Sequence, residues 1–356
     1  MKVIVRPYES ADLEGSIAKL RTLAYPEWPE AHDVDWHASV YRWIESNPLA
    51  DEMHRWVLDA DGEVVGHLAA VPQYYRVNGQ RVLAHTPTDY MVLPGYGFHA
   101  LSLMRTFFRT CENYVACNWV QEATAIEAKF GAEDSGELQY ELKVLDMTKY
   151  PGFPTGPTAL AMKLLSRGLR AIDGALGAAF GGDLRAQEVR GFDASFDELF
   201  ERIAAVVPCV PEKDAAFLRW RYGPGSFQAP VTVLGVRGVE GLLLGYAVLK
   251  VSSKGQDGNI LDLMTLPGRG EVARALLREA IVRFRRMGVQ IIRYRFVASP
   301  TAPSFGDLRR LGFFRRDNRR YTLLVKFADH DLHKMARDTA NWSYSIGDGE
   351  ASFWVR

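Results

Sequence analysis

Two aspartates in this chain stand in the same local setting. Asp89 and Asp262 each lie five residues before the proline of a Pro-Gly-x-Gly turn, Pro94-Gly95-Tyr96-Gly97 and Pro267-Gly268-Arg269-Gly270. A carboxylate near a strand end can accept or relay a proton. A glycine-bearing turn that opens a helix presents amide donors and a positive dipole end to an anion. Proton transfer beside a bound anionic group is the chemistry such a pairing supports. His85 and His99 flank the first turn and could titrate near neutral pH, and Tyr74, Tyr75 and Trp119 are candidate walls of an acceptor pocket.

The two settings belong to an internal repeat. Asp89-Tyr90-Met91-Val92-Leu93-Pro94-Gly95-Tyr96-Gly97 aligns without gaps on Asp262-Leu263-Met264-Thr265-Leu266-Pro267-Gly268-Arg269-Gly270. At the same offset Leu103, Met104, Arg105 and Phe108 fall on Leu276, Leu277, Arg278 and Ile281, apolar positions spaced for one buried helix face. Upstream, Val65-Gly66-His67 after Asp59-Ala60-Asp61-Gly62 resembles Leu244-Gly245-Tyr246 after Gly238-Val239-Glu240-Gly241. Each copy therefore reads strand, tight turn, strand, loop, strand, Pro-Gly-x-Gly turn, helix.

Around this unit the expected organisation is a first α/β domain over 1–150, a linker with one helix over 151–186, a second α/β domain over 187–330 and a tail over 331–356. The first domain opens with a strand and then a helix introduced by Ser10, with Leu13, Ile17 and Leu20 on one face. The linker helix is expected from the stripe Leu165, Leu169, Ile172 and Leu176, after the Pro/Gly breaker that begins at Tyr150.

Composition sets bounds on function. At 356 residues, 47% apolar and 24% charged, the chain can bury a core in each of two domains. No apolar run approaches a membrane span and no signal-peptide core precedes the first charges, so a cytoplasmic protein with no membrane partner is expected. Cys111, Cys117 and Cys209 form no paired motif, and the eight histidines show no ligand spacing, so no metal is expected. Net charge is zero, yet residues 269–326 hold 15 Lys or Arg against 4 Asp or Glu, an excess of +11 that suits a phosphate-bearing ligand, RNA or a solvated face.

The repeated unit resembles the GNAT N-acetyltransferase superfamily, and the whole chain is similar to bacterial tandem-GNAT proteins of polysaccharide or secondary-metabolite pathways. The resemblance rests on the two turns, on Leu308-Arg309-Arg310-Leu311-Gly312-Phe313 with its weaker counterpart Glu127-Ala128-Lys129-Phe130-Gly131, on the stretch Lys213 to Tyr222, and on the tail Trp342 to Asp348. It implies two tandem GNAT-like domains, each a mixed central sheet flanked by helices. It also implies acyl transfer from acetyl-CoA or another acyl-CoA to an amine of an amino sugar or small metabolite.

On that resemblance Val92, Leu93, Tyr96, Gly97, Phe98, His99 and Ala100 would cradle the donor. Asp89 is the candidate general base, and Glu127 stands where many members place a tyrosine acid. The second-copy equivalents are Asp262, Thr265, Arg269 and Gly270, but Leu308 replaces the acid there, which points to the first copy as the catalytic one. Both turns lack the full glycine series of the family. An aminoacyl-tRNA-dependent transferase of the FemX type, with tRNA as partner, and a non-catalytic binding module are the alternatives.

Overall fold

The computed structural model describes residues 2–27, 29–146, 148, 168, 184–316, 320–353 and 355. The helix expected in the 151–186 linker lies outside them. By packing, the chain forms two units, Met1–Gly136 with Thr322–Arg337, and Glu137–Tyr321 with Asp338–Arg356. The sequence reading divides the chain at 150 and 187; the packing divides it at 136 and again at 321.

The first unit is built on β1 (Val3–Pro7), β2 (His54–Ala60), β3 (Glu63–Val77), β4 (Gln80–Val92), β5 (Tyr114–Asn118) and β6 (Glu133–Glu137). In the second unit lie β7 (Gln139–Val144), β8 (Ala186–Glu188), the short β9 (Cys209–Pro211), β10 (Thr232–Arg237), β11 (Leu243–Val251), β12 (Asp257–Thr265), β13 (Ile291–Phe296) and β14 (Phe314–Arg315). Strand β15 (Thr322–Lys326) comes after all of these and returns to the first unit, where Thr322 pairs Asn118 and Lys326 pairs Tyr114. The first sheet runs β1-β2-β3-β4-β5-β15-β6 and the second β14-β7-β13-β12-β11-β10-β8. Both are mixed: β4–β5 and β12–β13 pair in parallel, and antiparallel neighbours flank them.

The repeat is visible at the level of single atoms. The helices Gly97–Thr110 and Gly270–Arg286 follow the two turns and bury the expected faces, Leu103 and Met104 in one, Leu276, Leu277 and Ile281 in the other. Gly66 and Gly245 sit where strands approach closely: an added Cβ would stand 3.0 Å from Met91 O in the first copy and 2.8 Å from Met264 O in the second. The turn glycines Gly95 and Gly268 have φ of +93° and +77°, a region only glycine adopts freely.

Two local details differ from the sequence reading. The first helix is capped by Glu9 rather than Ser10, through a box with Asp12, and passes through a π-helical turn at Leu13–Ile17 before continuing as Ala18–Ala24. The second is a bulge at the centre of each repeat. Register between β3 and β4 shifts between His67 and Ala69, opposite an Asp89 held at φ +55°; between β11 and β12 it shifts at Val248 and Leu249. Aspartate tolerates the left-handed region better than most side chains, and a bulge re-aims the residues beside it.

Candidate active site

Asp89 is buried at the bulge and gathers donors from three elements. Arg21 of the helix Ala18–Ala24 and Tyr41 of the helix Val34–Glu45 each donate to one carboxylate oxygen, and His67 Nδ1 of β3 stands 3.1 Å from Oδ2. Burial alone would raise the carboxyl, but the Arg21 charge and the His67 and Tyr41 bonds outweigh it and hold Asp89 down at about 2. Burial also lowers His67, against the pull of Asp89, which keeps the imidazole neutral with Nδ1 as donor. Arg55 approaches His67 Nε2 at 3.4 Å, pairs with Glu45 and lies 3.7 Å over the Tyr8 ring, so a second layer of charge fixes the first.

The other face of β4 carries a second polar group. The Tyr90 hydroxyl is buried with no hydrogen-bond partner among the described residues, while its ring packs against the cluster of Leu103, Met104 and Phe107. Burial, and then the charge of Glu127, raise this hydroxyl to about 12. Glu127, in the helix Gln121–Ala128, is itself buried and accepts from Asn118 Nδ2 at the end of β5. The parallel register between β4 and β5 is a single pair, His85 with Tyr114; Thr86 Oγ1 still donates to Val115 O at 2.7 Å, and Pro87, which has no N–H, ends the ladder before Asp89 and Tyr90 are reached.

Beyond the parting comes the turn. Leu93 N donates to Val65 O at 2.8 Å and Tyr96 N to Leu93 O at 3.1 Å, and the second copy repeats both bonds at Leu266 and Arg269. The copies then diverge. Thr265 N and Gly268 N donate to Thr301 O and Pro300 O, each at 3.1 Å, whereas Gly95, the counterpart of Gly268, has no partner for its amide among the described residues. No acidic residue lies in the first turn of Gly97–Thr110, where Phe98 is 89% exposed; the second helix carries Glu271 at the matching place, paired with Arg269.

The second copy also fills the parting of its own strands. Val297 N donates to Tyr344 O at 2.8 Å, Ser345 bridges Phe296, and a Cβ on Gly347 would stand 2.6 Å from Leu261 O. Asp262 is bonded by Lys213 Nζ at 2.9 Å, Tyr246 Oη at 2.8 Å and Ser345 Oγ at 3.2 Å, and Lys213 also pairs with Asp348 at 2.9 Å. Arg221 donates to the carbonyls of Gly347 and Gly349. The stretch Lys213–Tyr222 and the tail thus form one buried clamp around the second aspartate.

Tyr90 lies close enough to Glu127 to feel its charge, Asp89 lies on the opposite face of β4 with Arg21, Tyr41 and His67, and Val92 to Ala100 form the turn and helix start that follow. His85 Nε2 meets Glu52 O at 2.9 Å instead, Tyr75 is in the core, Tyr74 lies beneath Arg81, and Trp119 is 40% exposed. Burial pushes the Cys111 and Cys209 thiols up to about 12, leaving them unreactive. Of the 269–326 arginines, Arg269, Arg274, Arg283, Arg293 and Arg320 each pair with a carboxylate. Sequence reasoning missed Arg21, Tyr41 and Arg55. His67 was within reach, since it aligns with Tyr246 and both side chains bond the aspartate of their own copy.

This architecture is the tandem GNAT fold, two GNAT-like α/β units in one chain. Among solved structures, it is similar to a tandem GNAT protein from the clavulanic acid biosynthesis pathway (16% identity, 92% of this chain and 99% of that one, TM-score 0.53). It is also similar to a GCN5-related N-acetyltransferase from Anabaena variabilis (12% identity, 92% and 73%, TM-score 0.59) and to Saccharomyces cerevisiae N-myristoyltransferase with bound myristoyl-CoA (12% identity, 91% and 78%, TM-score 0.60). No family model and no curated protein matches the sequence. No helix among the described residues is long and apolar enough to cross a membrane, and none of their His, Cys, Asp and Glu side chains cluster as a metal site.

Proposed function

We propose that the chain is an acyl-CoA-dependent N-acyltransferase with a single donor site, in the first unit, acting on an amine of an amino sugar or other small metabolite. The asymmetry of the two turns carries the reading. In the first copy the Gly95 amide has no partner among the described residues and the helix start bears no acid, the arrangement an incoming pyrophosphate needs. In the second, the matching amide is bonded to Pro300 O and Glu271 stands at the helix start.

The donor residues in this reading are Val92, Leu93, Tyr96, Gly97, Phe98, His99 and Ala100, with the thioester end lying where β4 parts from β5. Asp89 is then a positioning residue. At about 2 it has little affinity for a proton, and its three donors leave it fixed, so it ties two helices and β3 around the parting rather than deprotonating substrate. The acceptor must therefore arrive as the neutral amine. Its nitrogen attacks the thioester carbonyl, the C–N bond forms, the C–S bond breaks, and the products are an amide and free coenzyme A thiol.

The test is a thermal-shift titration of the full chain with acetyl-CoA and, separately, with aminoacyl-tRNA. Acetyl-CoA at 100 times its Kd should stabilise the fold by about 2.7 kcal/mol, and tRNA should not. A shift with tRNA alone would favour the aminoacyl-tRNA alternative. Internal pairing of five basic-stretch arginines weighs against that alternative.

A further inference from the structure

We infer that the acyl donor of the first unit arrives on a phosphopantetheine arm carried by a protein, which docks on the apolar side chains that follow β4 and β5. The inference rests on the donor-site reading above and names the form in which the donor is presented. Because β4 and β5 pair in parallel, their carboxyl ends lie at one end of the sheet, the end where open α/β sheets take ligands. The turn and Phe98 follow β4 there, and Trp119 and Val120 follow β5. Among the described residues of the first unit, five large apolar side chains are exposed, Ile4, Leu23, Phe98, Trp119 and Val120, and three of the five are these. Exposed apolar residues gathered beside a binding turn mark an interaction surface.

Charge decides which partner fits that surface. Free coenzyme A brings roughly four negative charges, on its 3′-phosphate and pyrophosphate, whereas a phosphopantetheine arm on a protein serine brings about one, on a phosphodiester. Residues 82–104 run from β4 through the turn into the helix Gly97–Thr110, and residues 110–128 run through β5 and the helix Gln121–Ala128. Neither stretch holds a Lys or Arg, and the second carries Glu112, Glu122 and Glu127. The amides of the turn suit a single phosphodiester. They leave the 3′-phosphate of free coenzyme A with no cation from these elements. The repeat shows that the same unit can carry cations here: Arg269 and Arg274 stand where the first copy has Tyr96 and Leu101, but there the Gly268 amide is already bonded to Pro300. Free acyl-CoA still meets the first turn, with its adenosine end unsupported. On the carrier, protein takes the place of that end and covers Phe98, Trp119 and Val120. The acceptor nitrogen forms the C–N bond, the C–S bond breaks, and the proton given up by the amine balances the pantetheine thiolate that leaves with the carrier.

Calorimetric titration of the full chain with coenzyme A, dephospho-coenzyme A and 4′-phosphopantetheine tests whether the nucleotide is recognised. The three should bind within about threefold of one another. A holo acyl carrier protein, bearing phosphopantetheine on its serine, should bind at least about tenfold more tightly than free phosphopantetheine, and its apo form should not compete. Trp119→Ala combined with Val120→Ser should abolish that gain and leave free phosphopantetheine unchanged. The ligand series uses the unaltered chain, so its result does not depend on that variant folding. Coenzyme A bound more than about threefold more tightly than phosphopantetheine would show that the nucleotide is held, and would overturn the inference while sparing the donor site. A holo carrier that binds no more tightly than phosphopantetheine would overturn it as well. Absence of binding of both coenzyme A and phosphopantetheine to the parent chain would overturn the donor site, and this inference with it.

Discussion

Arg21, Tyr41 and His67 all converge on one buried carboxylate, and an amide in its place removes the negative charge that Arg21 pairs with there. Asp89→Asn should therefore lose about 3–5 kcal/mol in urea unfolding. A second consequence concerns rate. With Asp89 held at about 2, the acceptor's own amine sets the pH profile: kcat/KM should rise tenfold per pH unit up to the amine pKa, with no plateau from a carboxylate at pH 4–6. The clamp in the second unit behaves with the opposite sign. Burial pushes Asp348 from 3.8 up to about 6, against the pull of Lys213, so its contribution is fully present below 3.8 and is lost as pH rises through about 6. That loss is on the order of 3 kcal/mol, and unfolding of Asp348→Asn measured from pH 4 to 7 should lack this slope. Spacing to the turn singled out Asp89 in the sequence, but its partners come 68, 48 and 22 residues earlier, and no local pattern announces them.

At the scale of elements, the strand-turn-helix units were legible because their apolar spacing and glycine turns are local. The bulges were not, because a one-residue register shift leaves no mark on composition. Nor was the asymmetry of the turns, which depends on what Pro300 and Thr301 do elsewhere in the second copy. That asymmetry can be tested by exchange. Phe98 is the counterpart of Glu271 and is almost fully exposed, so Phe98→Glu should leave the melting temperature unchanged. It should nevertheless weaken coenzyme A about tenfold by calorimetry, since a carboxylate at the helix start opposes the pyrophosphate. Glu271→Gln should create no second site, because the Gly268 amide remains bonded to Pro300.

For the whole molecule, the tandem arrangement followed from the repeat, but the path of the chain did not. Strand β15 lies at the far end of the second half and completes the first sheet, pairing Thr322 with Asn118 through Lys326 with Tyr114. A fragment ending at Gly136 would leave β5 with an unpaired edge and expose the Leu324 contact of its core. Residues 1–136 should fail to give a cooperative melt by circular dichroism, and fusion of 322–337 through a flexible linker should restore one. The first unit therefore depends on a strand from the far end of the sequence, and in the proposed function the second unit contributes structure rather than a second donor site.

The proposed function requires that the chain bind one acyl-CoA, in its first unit. Calorimetric titration of the full chain with acetyl-CoA measures this most directly. One molecule should bind per chain, with affinity weakened by Phe98→Glu and unchanged by Glu271→Gln. Two molecules per chain, or affinity that responds to position 271 and not to position 98, would contradict it.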